Sequence, residues 1–244
     1  MIMIVGCVSV AALIMIACEN KHPRQHWPAT NAWWLRALLM NAVQVLISFV
    51  TGYFIDGYLS QYALIHLKCH YALQVIIGYL TITFIYYWWH RLRHKPVFWE
   101  LFHQLHHSPK RLEIMTAFYK HPFEILANGV LSSAILYFLL GVNPSVGASV
   151  IALTGFAELF YHWNIKTPYW LGFIIQRPES HCIHHQRGKH HYNYADLPIW
   201  DMLFGTFYNP TQYEFICGFS DNKELKLKEM LLFKNVNSKV KYER

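Results

Sequence analysis

Three clusters of histidine stand out in the 244-residue sequence: His90-Arg91-Leu92-Arg93-His94, His103-Gln104-Leu105-His106-His107 and His181-Cys182-Ile183-His184-His185. On a helix, positions i, i+3 and i+4 share one side, so each cluster is expected to project its imidazoles together. One such pair more often packs or meets solvent than binds anything, but here two boxes of identical spacing and a further pair supply eight imidazoles. Neutral imidazole is a transition-metal ligand, and a closed structural zinc takes only four donors. Eight to ten nitrogens therefore suit two metal ions with room for an exogenous ligand. His162 is a ninth candidate ligand, with Glu158 one turn earlier on the same helical face. Glu158 has three readings: metal ligand, acceptor for an imidazole N–H, or partner of a basic side chain. Glu124, Asn164, Asn193 and Asp201 are candidate acceptors for imidazole N–H groups, Asp201 being equally suited to a helix or turn. His121, in His121-Pro122-Phe123-Glu124, suits either orientation of a ligand or plain helix N-terminal polarity. His190 and His191 lack partners at helical spacing and are expected in a solvated loop, while His22, His26, His66 and His70 are expected at a membrane interface.

The elements that must position these side chains are membrane helices. The chain is 54% hydrophobic and only 14% charged, against roughly 25% charged in a soluble domain. That excludes an ordinary soluble protein and a disordered one, and five cysteines without paired spacing exclude a disulfide scaffold. Met1 to Cys18 and Tyr71 to Trp89 carry no charge, and Trp33 to Ile55 carries only Arg36, whose long side chain can snorkel. Asn41 and Gln44 in that third segment must face protein. Phe123 to Leu140 and Ser145 to Tyr161 flank Gly141-Val142-Asn143-Pro144 and read as a helical hairpin. The first segment lacks a basic flank and reads as a retained anchor rather than a signal peptide. The expected fold is an all-α integral membrane protein of about five membrane-associated helices, with a cytoplasmic histidine-rich helical cap holding a dimetal site. Its expected divisions are anchor helices over 1–89, a histidine-box core over 90–208 that includes the membrane hairpin 123–161, and a basic tail over 209–244. Box three is expected to start a helix at Arg177-Pro178-Glu179-Ser180 with Ser180 as N-cap. From Asp221 the tail alternates leucines with seven basic residues, which suits an amphipathic helix lying on the membrane or a solvated terminus.

Cytoplasmic loops collect Lys and Arg, and five passes with the N-terminus outside place 20 of the 21 basic residues on the histidine side. The histidine boxes and the C-terminus are thus expected to be cytoplasmic. The net charge of +7 then reflects topology and anionic lipid, and no nucleic-acid motif is present. A metal transporter would place its polar ligands near mid-membrane, whereas these boxes sit at span ends. No HExxH or HxxEH occurs, which removes a zinc protease.

The order HxxxH, HxxHH, HxxHH resembles the fatty acid hydroxylase and sterol desaturase superfamily of membrane di-iron enzymes. His121-Pro122-Phe123-Glu124, His162-Trp163-Asn164, Asn193-Tyr194-Ala195 and Trp200-Asp201-Met202-Leu203-Phe204-Gly205-Thr206 resemble further segments of that superfamily, so the likeness covers residues 90–208. Ala195 stands where its members have glycine, and Glu158 where they often have Gln or His. The resemblance implies two iron ions, replaceable by zinc in a purified sample, with O2 as co-substrate and a lipid as substrate. Hydroxylation of an unactivated C–H is the expected outcome, with desaturation at the same dimetal site as the alternative and a non-enzymatic metal-binding or transport protein as a further one. No glycine-rich dinucleotide fingerprint or iron–sulfur cysteine set is present, so electrons are expected from a separate reductase with a ferredoxin or cytochrome, docked on the basic surface. Small size and short loops point to a bacterial cytoplasmic membrane.

Overall fold

The computed structural model describes residues 2–212 and 214–237. Helices α1 (Ile2–Lys21), α2 (Trp33–Thr51), α3 (Tyr71–Arg93), α4 (Pro122–Ser133) and α5 (Pro144–His162) form an up-and-down bundle. Two of them are longer than their α-helical parts. A π-helical turn, Gly52–Asp56, carries α2 on to Ser60, and another, Ala134–Leu139, completes α4. The expected third segment therefore continues past Ile55. Four helices among the described residues are long and apolar enough to cross a membrane: Trp33–Ser60, Tyr71–Arg93, Pro122–Leu139 and Pro144–His162. Helix α1, at the expected first segment, packs along α5.

The outward faces of these helices are apolar: Leu35, Leu38, Leu46, Tyr53 and Phe54 on α2 are all exposed. In water such a surface would be unstable; hydrocarbon is its natural solvent. Inside, Ile82 of α3, Leu136 of the α4 extension, and Val146 and Val150 of α5 form one core. Gly78 lets α3 and α5 approach, since a Cβ there would meet Val150 Cγ2 at 2.9 Å. The hairpin turn is where the sequence placed it. Asn143 caps α5 by accepting hydrogen bonds from Ser145 and Val146 N–H at 3.1 and 3.0 Å, with Pro144 following. Asn41 faces protein, donating to Met115 O at 3.0 Å.

At the end of the bundle shared by the C-termini of α3 and α5, short elements form a cap. These are a π-helical turn Trp99–His103, α6 (Pro178–His185), α7 (Pro198–Leu203) and α8 (Leu227–Leu231). Helix α6 starts one turn earlier than expected. Arg177 is its N-cap and Pro178 its first residue, which leaves Ser180 inside the helix with its hydroxyl directed at Asn209 Oδ1, 3.3 Å away. Arg177 is fully buried; it pairs with Glu179 and donates to Thr167 Oγ1 and Asn209 Oδ1, fixing the start of α6.

Over residues 221–237 the tail packs on the cap through one face, while Leu225, Leu232 and Phe233 stay exposed. Met230 is buried against Trp33, Trp99, Leu105 and Phe219, with Leu227, Leu231 and Val236 around it. Gln104 of box two donates to Lys234 O at 3.1 Å and accepts from Val236 N–H. Apolar residues spaced for an amphipathic helix found an apolar partner in the cap itself, so the segment closes over box two. Met1, Lys239, Lys241 and Arg244 lie outside the described residues.

Candidate metal centre

All three boxes and His162 meet at the bundle end, and nine imidazoles form two groups. His90, His94, His103, His107 and His184 make one; His106, His162, His181 and His185 make the other; within each, one nitrogen per ring lies within 4.8 Å of the rest. The partition follows from helical geometry. At roughly 100° per residue, i and i+4 diverge by about 40° while i+3 lies about 60° to the other side. So box two gives His103 and His107 to the first group and His106 to the second, and box three gives His181 and His185 to the second and His184 to the first. The sequence expectation that each box presents a single face holds for box one, whose His90 and His94 both join the first group, and is corrected for boxes two and three, each of which feeds both groups. His107 and His185 stack at 4.1 Å between centroids where the groups adjoin.

Outward nitrogens are held by acceptors. His90 Nδ1 is 2.7 Å from Tyr194 O, His184 Nδ1 2.7 Å from Tyr192 O, His162 Nδ1 2.8 Å from Glu158 O and His103 Nδ1 3.0 Å from Glu124 Oε1. An Nδ1–H donated to oxygen leaves a lone pair on Nε2. For His90 and His103 those lone pairs face each other with Nε2 atoms 2.9 Å apart, which is a repulsive contact unless a cation lies between them. Nitrogens about 2.1 Å from one ion and at right angles are about 3.0 Å apart, so the spacing fits a shared metal. His107 has both ring nitrogens buried without a hydrogen-bond partner, and His106 Nδ1 and His162 Nε2 are likewise unpartnered. Burial, reinforced by neighbouring cationic and imidazole groups, holds His94, His103, His106, His107, His181, His184 and His185 well below the ordinary imidazole range. They are neutral nitrogen donors with no proton to displace. The donor set fits two divalent transition-metal ions.

Comparison with known proteins bears on what such a centre does. The profile of the fatty acid hydroxylase family matches residues 75–206, which spans α3 to the turn after α7. The chain belongs to the fatty acid hydroxylase family. Among curated relatives, the ornithine lipid hydroxylase of Rhizobium tropici is 36% identical over 143 residues, covering 57% of this chain and 43% of its own. The alkylglycerol monooxygenase of Homo sapiens is 31% identical over 134 residues, covering 53% of this chain and 29% of its own. A very-long-chain aldehyde decarbonylase of Oryza sativa is 26% identical over 142 residues, covering 55% and 54%. The chain thus spans less than half the length of the first two. No solved structure matches it. The family is one of membrane oxidoreductases, hydroxylases and monooxygenases among them.

In this family member the remaining candidate residues divide into those that reach an imidazole and those that do not. Glu124 is fully buried, joins His103 and forms an ion pair with Arg93. Asp201 acts through the backbone: it accepts from Tyr194 N–H at 2.8 Å, Ala195 N–H at 2.9 Å and Thr206 Oγ1 at 2.7 Å, which presents Tyr194 O to His90. Asn193 also works at one remove, bonding Ser180 O and Tyr208, while its carbonyl anchors Gln176, whose amide lies 3.2 Å from His181 Nδ1. The left-handed residue of this turn is Asn193, φ 55°, so Ala195 needs no glycine-like backbone. Glu158 resolves as the partner of a basic residue, since its carboxylate pairs with Lys120 and only its carbonyl meets His162.

Two candidates stand apart. Asn164 is bonded to Gln25 and Glu19 rather than to a ring. His121 caps α4 by accepting from Phe123 N–H, with its other nitrogen 3.3 Å from Leu231 O. His190 is part-buried rather than in an open loop: its ring packs on His94, Trp99 and His107, its Nδ1 is 3.1 Å from His184 O, and desolvation pushes its pKa down to about 4. The backbone acceptors Tyr192 O and Tyr194 O carry no side-chain signature that sequence reading could use. Gln176, five residues before His181, had none either.

Proposed function

We propose that the protein is a membrane-bound di-iron oxygenase that hydroxylates an unactivated C–H bond of a lipid, using O2 and electrons from a separate donor. The observation that carries this is the pair of all-imidazole groups with opposed lone pairs, at the end of apolar helices, in a chain of a lipid-hydroxylating family. His90, His94, His103, His107 and His184 would hold one iron, and His106, His162, His181 and His185 the other. When bound, the two ions would supply, with O2, two electrons and two protons, insertion of one oxygen atom into the C–H bond, the second leaving as water. The chain's own residues fix the ligand tautomers through Tyr194 O, Tyr192 O, Glu158 O and Glu124, and keep the rings neutral by burial. Closure by α8 and the tail excludes water above box two. The substrate class follows the relatives: an ornithine lipid and an alkylglycerol both carry a long chain beside a polar group. The excess of basic residues on the histidine side supports a cytoplasmic site, and a basic surface suits an acidic electron carrier.

The test is metal analysis followed by turnover. Protein from iron-supplemented cells should carry about two irons per chain and, with a ferredoxin–reductase pair and isotopically heavy O2, transfer label into a hydroxylated lipid. A product that has lost two hydrogens without label would mean desaturation. Reproducible zinc with no iron uptake under reducing, iron-replete conditions would overturn the reading.

A further inference from the structure

A cleft of about 230 Å³ lies between α3 and α5, beside the four-histidine group. Its walls are Tyr79, Leu153, Phe156 and Phe160, and Leu153 and Phe156 are 42% and 37% exposed on the outward apolar face. Its polar end is lined by Tyr161, Gln176 and Asp196. That end touches the metal centre: the Tyr161 ring is 4.4 Å from His181, and the Gln176 amide is 3.2 Å from His181 Nδ1. The Asp196 carboxyl lines this end together with the Tyr161 ring, while its carbonyl accepts from Gln176 N–H at 3.3 Å. The volume falls below the roughly 300 Å³ at which pockets for whole drug-sized ligands begin, so it suits a stretch of chain.

We propose that this cleft seats the acyl or alkyl chain of a membrane lipid, and that Asp196, beside Tyr161, selects lipids carrying a hydroxyl or amide N–H beside that chain. The inference rests on the lipid-hydroxylase reading and deepens it. The Asp196 carboxyl is part-buried at an otherwise largely apolar cleft, and a chain seated there would cover it further, which is costly unless the ligand brings a donor to it. Desolvation, with the Glu158 charge adding to it, pushes Asp196 up to about 7. A plain alkyl chain would leave that group unsatisfied, whereas a lipid O–H or N–H completes it, and sites built in this way reject ligands lacking the donor.

The experiment reads binding apart from turnover. The full chain in bilayer nanodiscs, with and without iron, is irradiated with two lipids sharing one diazirine-bearing acyl chain: an N-acyl amino alcohol, and the corresponding methyl ester, which has no donor. Labelled residues are mapped by mass spectrometry. The amide lipid should label residues 153–161 about tenfold more than the ester. Asp196→Leu should abolish that preference and Asp196→Asn, which still accepts a hydrogen bond, should retain most of it. Equal labelling of both lipids in the parent chain, or preference unchanged in Asp196→Leu, would overturn the proposal. Selective labelling without any hydroxylation would leave the cleft standing and sink the oxygenase reading; hydroxylation with no labelling of residues 153–161 would do the reverse.

Discussion

The two histidine groups share boxes two and three yet are held in different ways. In the five-membered group, His90, His103 and His184 each have a named acceptor, supplied by the 192–194 turn and by Glu124. In the four-membered group only His162 is tied to a carbonyl, that of its own helix, and His181 faces an amide. The first group also reaches outward, since His94 is half-buried and leans on His190 and Trp99, whereas every member of the second is buried. The first is thus orientated by loops packed around it, the second, His106 apart, by the rigid ends of α5 and α6. Loop-held ligands depend on partners that are themselves mutable, and helix-held ones depend on the fold.

The largest effects should come from the two crossover histidines. His184→Ala removes a donor from the first group and His106→Ala one from the second. Each is expected to take turnover below detection and to lower iron from about two per chain toward one, measured by elemental analysis with Mössbauer spectroscopy. Which iron signal is lost should differ between the two variants. Full iron and full activity in either would break the partition.

Glu124→Gln comes next. It leaves the buried Arg93 guanidinium without its counter-ion and weakens the acceptor at His103. Breaking a buried pair costs about 3–5 kcal/mol, and losing an acceptor behind a ligand costs about 10- to 100-fold in metal affinity. Thermal unfolding and iron titration check the two parts separately. The affinity loss should fall on the first group alone; equal loss from both would mean that the groups are not independently held.

How much of this was legible in the sequence depends on whether side chains or backbone carry it. The nine imidazoles were found because spacing and residue type are visible, and the hairpin because Asn143-Pro144 caps α5 in the way such residues do. The division into two groups was not found, because a shared helical face was read where a spread of about 60° separates i from i+3. His190 was misplaced for a related reason: its neighbours His94 and Trp99 are distant in sequence, so no local period reveals them. The tail was read as lying on a membrane or solvated, and its packing of Met230 on Trp99, Leu105 and Phe219 was not visible because those partners are distant in sequence.

Acid should expose the same contrast. The group rings outside the spans are held neutral when folded, while an unfolded histidine takes a proton below about 6.5. The metal-free chain should therefore keep its full stability above about pH 6.5 and lose it progressively as pH falls. The loss should be on the order of 1 kcal/mol per pH unit for each ring. For His190, whose folded value is about 4, the loss spans about pH 6.5 to 4. His190→Gln should make the acid limb of a denaturant-unfolding series shallower in that window without changing iron content. An unchanged limb would mean that the ring is solvated after all.

The smallest effect is expected at His121, which separates membership of the superfamily motif from membership of the centre. Its ring nitrogens are engaged by Phe123 N–H and Leu231 O, and the ring packs on Phe233 at 4.9 Å. Its work is to cap α4 and tie the tail down. His121→Asn keeps a capping acceptor and should cost under about 1 kcal/mol in thermal unfolding, while His121→Ala should cost about 1 kcal/mol. Both should retain about two irons. If His121→Asn lost iron from the first group selectively, the route would run from His121 through the start of α4 to Glu124 and His103, and the loop-held group would extend one residue further than the hydrogen bonds indicate.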